Sequence, residues 1–203
     1  MALTPAALGF RVKSGWAQAV LLAAPAKSPR LVACQVALLS DPAEPNSKQP
    51  YHVALDLPEN EASASVRKLR KIISHAAKDS VSALIKKAET AGYAVCGAAL
   101  VVGSMVDPAS LHNEHIRAHA LEGQLFRTVL EEAFLERKLP CRVLLEKTAY
   151  STAAKELGKT KPQLVSLAAK LGGSHDGSWR AEEKLAALAA ILALAKGAGP
   201  RTS

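Results

Sequence analysis

From Ala94 to Val102 the chain runs without a charge, Ala-Val-Cys-Gly-Ala-Ala-Leu-Val-Val, and on either side lies a segment of helical period. An apolar run of that length, rich in Val and Ala, reads as a strand buried on both faces. Before it, Val66, Leu69, Ile73, Ala77, Leu84 and Ala88 recur at helical spacing with basic side chains between them, so 59–91 reads as one amphipathic helix ended by Gly92. After it, Pro108 to about Lys138 has the same period, and Pro140 introduces Cys141 to Leu145 as a further strand. The right-handed crossover makes the later strands parallel neighbours.

Upstream, Gly9 to Val12 and Ala17 to Ala23 are apolar runs around the polar turn Lys13-Ser14-Gly15-Trp16, and Leu31 to Leu39 is a third run of strand length. A proline-punctuated loop, Pro42 to Pro50, leads to a short candidate strand, Tyr51 to Leu57. Downstream, helices are expected at 151–157, 163–171 and 180–195, with 196–203 as a frayed tail. No repeat or linker divides the chain, so 1–203 is expected to be a single α/β domain with its core in 9–195. Its architecture should be a mixed sheet of about five strands with helices on both faces.

Hydrophobic residues make up 49% of the chain but aromatic ones only 4%, which predicts an aliphatic core. The 26 Lys and Arg exceed the 18 Asp and Glu, a formal charge of +8. Such a field draws anionic partners, nucleic acid or another phosphate-bearing ligand; a dispersed excess also serves solubility alone. Cys34, Cys96 and Cys141 lie far apart in strand-like runs without ligand-spaced neighbours, as buried reduced thiols would. The most apolar late segment, Leu185 to Leu194, is too short to span a bilayer, and a cytoplasmic location is the expectation.

Three segments carry a family likeness: Gly9-Phe10-Arg11-Val12-Lys13-Ser14-Gly15-Trp16-Ala17, Ala94 to Ser104, and the Ala-rich Trp179 to Ala190. In this order the chain resembles the ribonuclease H-like fold, and within it the RuvC-type Holliday junction resolvases. The resemblance implies a two-cation site of carboxylates from the first strand, the end of the central strand and the last helix. Here the first strand offers Arg11 and Lys13. Gly103 or Ser104 stands near the second acid's place with Asp107 beyond, and the last helix shows Glu182, Glu183 and Lys184. With the usual acids replaced, such a site would repel cations and attract phosphate, which makes Arg11, Lys13 and Lys184 candidate anion contacts.

The least ordinary stretch is Leu111-His112-Asn113-Glu114-His115-Ile116-Arg117-Ala118-His119-Ala120-Leu121-Glu122-Gly123. On a helical projection His112, His115, His119 and Glu122 share a stripe that continues through Phe126, Val129 and Ala133, whereas Arg117, Gln124, Arg127 and Glu131 face the other way. Ionisable groups at the head of an apolar stripe point to a lined cleft. His115 and His119 at i and i+4, with Glu122 as third ligand or base, could hold a metal; one His could move a proton; protonated imidazoles could bind phosphate. Backbone carbonyls of neighbouring loops could equally satisfy both histidines. His52, after Ser47-Lys48-Gln49-Pro50-Tyr51, and Arg117 add further anion contacts.

Other signals are weaker. Lys13-Ser14-Gly15 lacks the glycine spacing of a phosphate-binding P-loop. Arg67, Lys68, Arg70 and Lys71 read first as a solvated helix face, and Trp179 as a staple ahead of the last helix. Three functions therefore stay open: a nucleic-acid- or nucleotide-phosphate-binding protein, a metal-dependent hydrolase built on His115, His119 and Glu122, and a protein-interaction subunit. No cofactor is specified by the sequence.

Overall fold

The structure is a computed structural model that describes residues 2–197. Among these, β1 (Thr4–Lys13), β2 (Trp16–Ala23), β3 (Arg30–Leu38), β4 (Tyr93–Val102) and β5 (Cys141–Leu145) form one sheet in the order β3-β2-β1-β4-β5. β1, β2 and β3 pair antiparallel, whereas β1 with β4 and β4 with β5 pair parallel. The sheet is mixed, as expected, and its three parallel strands finish at one edge. The β1–β2 turn is closed by Gly15 at φ +80°, and its carbonyl accepts from Ser40 Oγ at 3.0 Å.

The helices are α1 (Pro50–Leu55), α2 (Glu59–Thr90), α3 (Glu114–Glu136), α4 (Ala149–Leu157), α5 (Lys161–Lys170) and α6 (Ala181–Gly197). Alternation along β1 divides its side chains between two cores. Leu8, Phe10 and Val12 pack with Ile73 of α2 and Phe126 and Phe134 of α3, while Ala7 joins Ala99, Val101 and α6 on the opposite face. Every residue from Leu185 to Leu194 is buried, which is how a helix apolar on all sides must sit. α4 and α5 flank α6 and shield it.

Gly9 is where β1 and α6 meet. A Cβ placed there would lie 2.0 Å from the Ala186 carbonyl oxygen and 2.3 Å from the Ala190 nitrogen. Only a residue without a side chain lets the helix backbone lie directly on the strand. This close approach puts the α6 N-terminal turn beside the last residues of β1.

Three elements differ from the sequence expectation. Tyr51 to Leu57 is not a strand: Pro50–Leu55 is a helix with proline in its first turn, where the missing N–H costs nothing and φ is preset. A short apolar run carries too little period to separate the two forms. The long helix begins at Glu114 and not at Pro108, because Asn113 caps it by accepting from the Ile116 amide at 3.0 Å. Pro108–Ser110 is a separate 3-10 turn capped by Asp107. Lys196 and Gly197 belong to α6, and the remainder of the expected tail, 198–203, lies outside the described residues.

Gly9→Ala is expected to cost about 3 kcal/mol, since both opposing atoms are backbone and cannot yield cheaply. Gly123→Ala, where an added Cβ meets nothing within 4 Å, is expected to gain up to about 1 kcal/mol from helix propensity. Urea denaturation of the two variants checks both signs.

Candidate functional site

Open α/β sheets gather ligands beyond the carboxyl ends of their parallel strands, and here those ends carry polar groups. Arg11 and Lys13 close β1, Gly103 and Ser104 follow β4, and Glu146 follows β5. With Ser14, Val106, His119, Ala120 and Gly123 most of them line a cleft of about 240 Å³. The cleft runs from the ends of β1 and β4 to His119, Ala120, Gly123 and Phe126 of α3.

The two cations of β1 are held by acids. Arg11 is 5% exposed; it forms an ion pair with Glu146 and donates to the Val12 carbonyl at 2.5 Å, and its Nε is buried without a partner. Lys13 lies 3.4 Å from Glu182 of α6, with both side chains about one-third exposed. The Glu182 carboxyl is held below its usual range first by its own backbone amide, against the opposing effect of burial, with Lys13 and Arg11 lowering it further. Gly103 leaves open backbone beside Arg11 and Glu146: a Cβ there would come no nearer than 3.9 Å to Arg11 Nη2.

The second cluster adjoins the first through His119. His52, His115 and His119 each offer a ring nitrogen, and these nitrogens all lie within 4.8 Å of one another. The rings meet edge to face, with centroids 4.6 Å apart for His52 and His115, 4.2 Å for His52 and His119, and 4.9 Å for His115 and His119. Glu122 is wholly buried behind them. Its Oε1 lies 2.8 Å from His52 Nδ1 and accepts from the His52 amide at 3.3 Å. His52 Nε2 and Glu122 Oε2 are buried without a hydrogen-bond partner.

The loop ahead of α1 fixes His52. The buried Ser47 hydroxyl accepts from the Asp41 amide at 3.0 Å and donates to the Glu44 carbonyl at 2.6 Å. Pro50 then starts the helix that delivers the imidazole to Glu122.

Of the expected site residues, the fold joins His115, His119, Glu122 and His52 in one cluster and Arg11 with Lys13 in the adjoining cleft. Glu122 is oriented onto His52, so the third imidazole comes from α1. Arg117 is spent locally, donating through Nε and Nη2 to the Leu111 carbonyl at 2.9 and 2.7 Å. His112 is exposed ahead of the Asn113 cap, off the helix on which the projection placed it. Lys184 is absent from the residues lining the cleft. Glu146 was missed; its place directly after a parallel strand was the available signal.

Most of the remaining candidates have structural contacts. Of the four basic candidates on α2, Lys68 and Arg70 pair with Glu44 and Glu132, while Arg67 and Lys71 line a surface hollow on the same helix. Trp179 donates to the Ala168 carbonyl at 2.9 Å and packs on Gly172. No disulfide joins the three cysteines, which stand half-buried on β3, β4 and β5.

No protein-family model matches this sequence, and no curated protein matches it. Among solved structures, Thermus thermophilus RuvC in complex with Holliday junction substrate superposes with a TM-score of 0.53 at 10% identity, over 92% of this chain and 90% of that one. The fold is ribonuclease H-like. A second Thermus thermophilus RuvC structure gives 0.49 at 12% identity, covering 92% of each chain. The yeast mitochondrial Holliday junction resolvase Ydc2 gives 0.45 at 13%, covering 96% of this chain and 78% of that one. No helix among the described residues is long and apolar enough to cross a membrane.

Truncating Glu122 to Ala leaves the His52 ring and amide without their acceptor and is expected to cost about 3 kcal/mol. Glu122→Gln keeps an acceptor and should cost about 1 kcal/mol. Urea midpoints compare the two. Burial, aided by Glu131, pushes the Cys141 thiol up to about 12, and burial with Glu183 outweighs a hydrogen bond from Gln18 to push Cys34 up to about 11. Both are therefore protonated thiols at neutral pH. Iodoacetamide should alkylate them far more slowly in the native protein than in urea, as followed by mass spectrometry.

Proposed function

We propose that this chain is a nucleic-acid-binding protein on a RuvC-like scaffold whose metal-holding acids have been exchanged for cations. The observation that carries the reading is the cleft at the ends of β1 and β4, where Arg11 and Lys13 stand beside the open backbone of Gly103 and Ser104. A backbone phosphate fits a space of about 240 Å³, and the formal charge of +8 brings a polyanion to it.

The ion pairs set how such a ligand would bind. Glu146 and Glu182 are engaged with Arg11 and Lys13, so neither stands as a spare ligand for a divalent cation between β1 and α6. The pair at Lys13 is about one-third open to water, where an ion pair contributes roughly 0 to 1 kcal/mol. A phosphate oxygen can take the place of Glu182 on Lys13 at small cost. Arg11, locked by Glu146 and the Val12 carbonyl, shapes the floor. Solved with a Holliday junction substrate, the Thermus thermophilus protein supports branched DNA as the first ligand to try.

Fluorescence anisotropy with branched, duplex and single-stranded oligonucleotides tests the reading. Binding at low salt should weaken linearly on a log–log salt plot, and Lys13→Ala should lower the affinity while reducing the slope by about one unit. Absence of binding to all three, at low salt and with a folded protein, would sink it.

A further inference from the structure

We infer that His52, His115 and His119 form a binding site for one divalent transition-metal ion of the zinc class, with Glu122 as the carboxylate that orients His52. The inference is independent of the nucleic-acid reading and rests on a different part of the chain.

Three imidazoles from two segments distant in sequence converge so that one nitrogen of each lies within 4.8 Å of the other two. Imidazole is the ligand that zinc, copper and nickel ions share, whereas magnesium and calcium take oxygen donors. A tetrahedral zinc ion with bonds of about 2.0–2.1 Å needs its nitrogens about 3.4 Å apart. The gap closes by small side-chain movements, which His115 and His119 can make because both are exposed on the first turns of α3.

His52 supplies the stronger indication. Its Nδ1 faces Glu122 Oε1 at 2.8 Å, which leaves Nε2 as the nitrogen free to ligate. That atom is buried and has no hydrogen-bond partner among the described residues, a costly state for a polar group with nothing to bind. A metal ion between the three rings engages it. The carboxylate–imidazole–metal series is how proteins fix the tautomer and raise the basicity of a ligating histidine. Glu122 is wholly buried, and its amide contact with His52 at 3.3 Å holds the same geometry from the backbone.

Among the described residues three protein ligands converge here, and two of them lie open to water. The fourth position therefore takes a water molecule or an anionic oxygen, as in metal sites that stay open on one side. His119 also lines the cleft that holds Arg11 and Lys13, so an anion on the metal would lie next to that cleft.

Untagged protein stripped with a chelator and titrated with Zn²⁺ by calorimetry should bind one equivalent with micromolar or tighter affinity. Co²⁺ in its place should give the visible absorption of a tetrahedral site. His119→Ala and His115→Ala, at exposed positions where folding is not at stake, should each weaken binding at least a hundredfold. Glu122→Gln should retain one site and weaken it ten- to a hundredfold. His75→Ala, on the exposed face of α2 and paired there with Asp79, should bind as the parent does. No binding by folded parent protein, or equal binding by the His115 and His119 variants, overturns the inference. Weakened oligonucleotide binding on Lys13→Ala with zinc binding intact would leave the two sites separately established.

Discussion

The contact of β1 with α6 through Gly9 determines where everything else in this molecule can stand. An alanine-rich helix laid backbone to backbone on the central strand brings its acidic first turn over the end of that strand. Arg11 and Lys13 follow Gly9 at alternate positions, so they face the same helix and not the α2 and α3 core. A strand-end cation in that place must either reach water or find an acid, and the sheet provides both. Lys13 shares the surface with Glu182, and Arg11, 5% exposed, takes the Glu146 carboxylate that emerges from β5.

A burial gradient across these pairs separates what is structural from what a ligand can take. Arg11 is nearly buried while the Glu146 side chain is 41% exposed, so removing Glu146 strands a buried charge, whereas removing Arg11 leaves a carboxylate that water can reach. Lys13 and Glu182 carry no such penalty because water screens both. The same logic applies across the sheet, where Glu122 is wholly buried and His52 nearly so. Their bond ties α1 to α3, and the Ser47 hydroxyl ties the loop before α1 to itself.

Much of this architecture was legible in the sequence, and the reasons are local. β4 and β5 were bounded by a long amphipathic helix, Gly92 and Pro140, and a strand buried on both faces needs no alternation to be recognised. α6 showed itself by a continuous apolar run that only a covered helix tolerates. α1 was misread because six residues hold less than two helical turns and proline is compatible with either a strand edge or a first helical turn. The histidine stripe on α3 was visible from spacing alone. Its partner was not, since His52 reaches the stripe through tertiary packing that no local period encodes, and Glu146 depends likewise on β5 lying beside β4.

The charge arrangement ties the two clusters to different chemistry. At the β1 edge each cation faces an acid, so the field there is nearly balanced and what remains for a ligand is exchangeable hydrogen bonding around Lys13, with the long-range attraction of the whole positively charged surface. At the α3 edge the balance runs the other way: three imidazoles converge in front of a buried carboxylate, and the negative charge lies behind the donors and not among them. A polyanion is drawn to the first edge by the charge of the whole surface, and a zinc-class cation is favoured at the second by ligand type. Because His119 belongs to both linings, a metal ion with an open position would supply the positive pole that the neutralised Arg11 no longer offers to a phosphate.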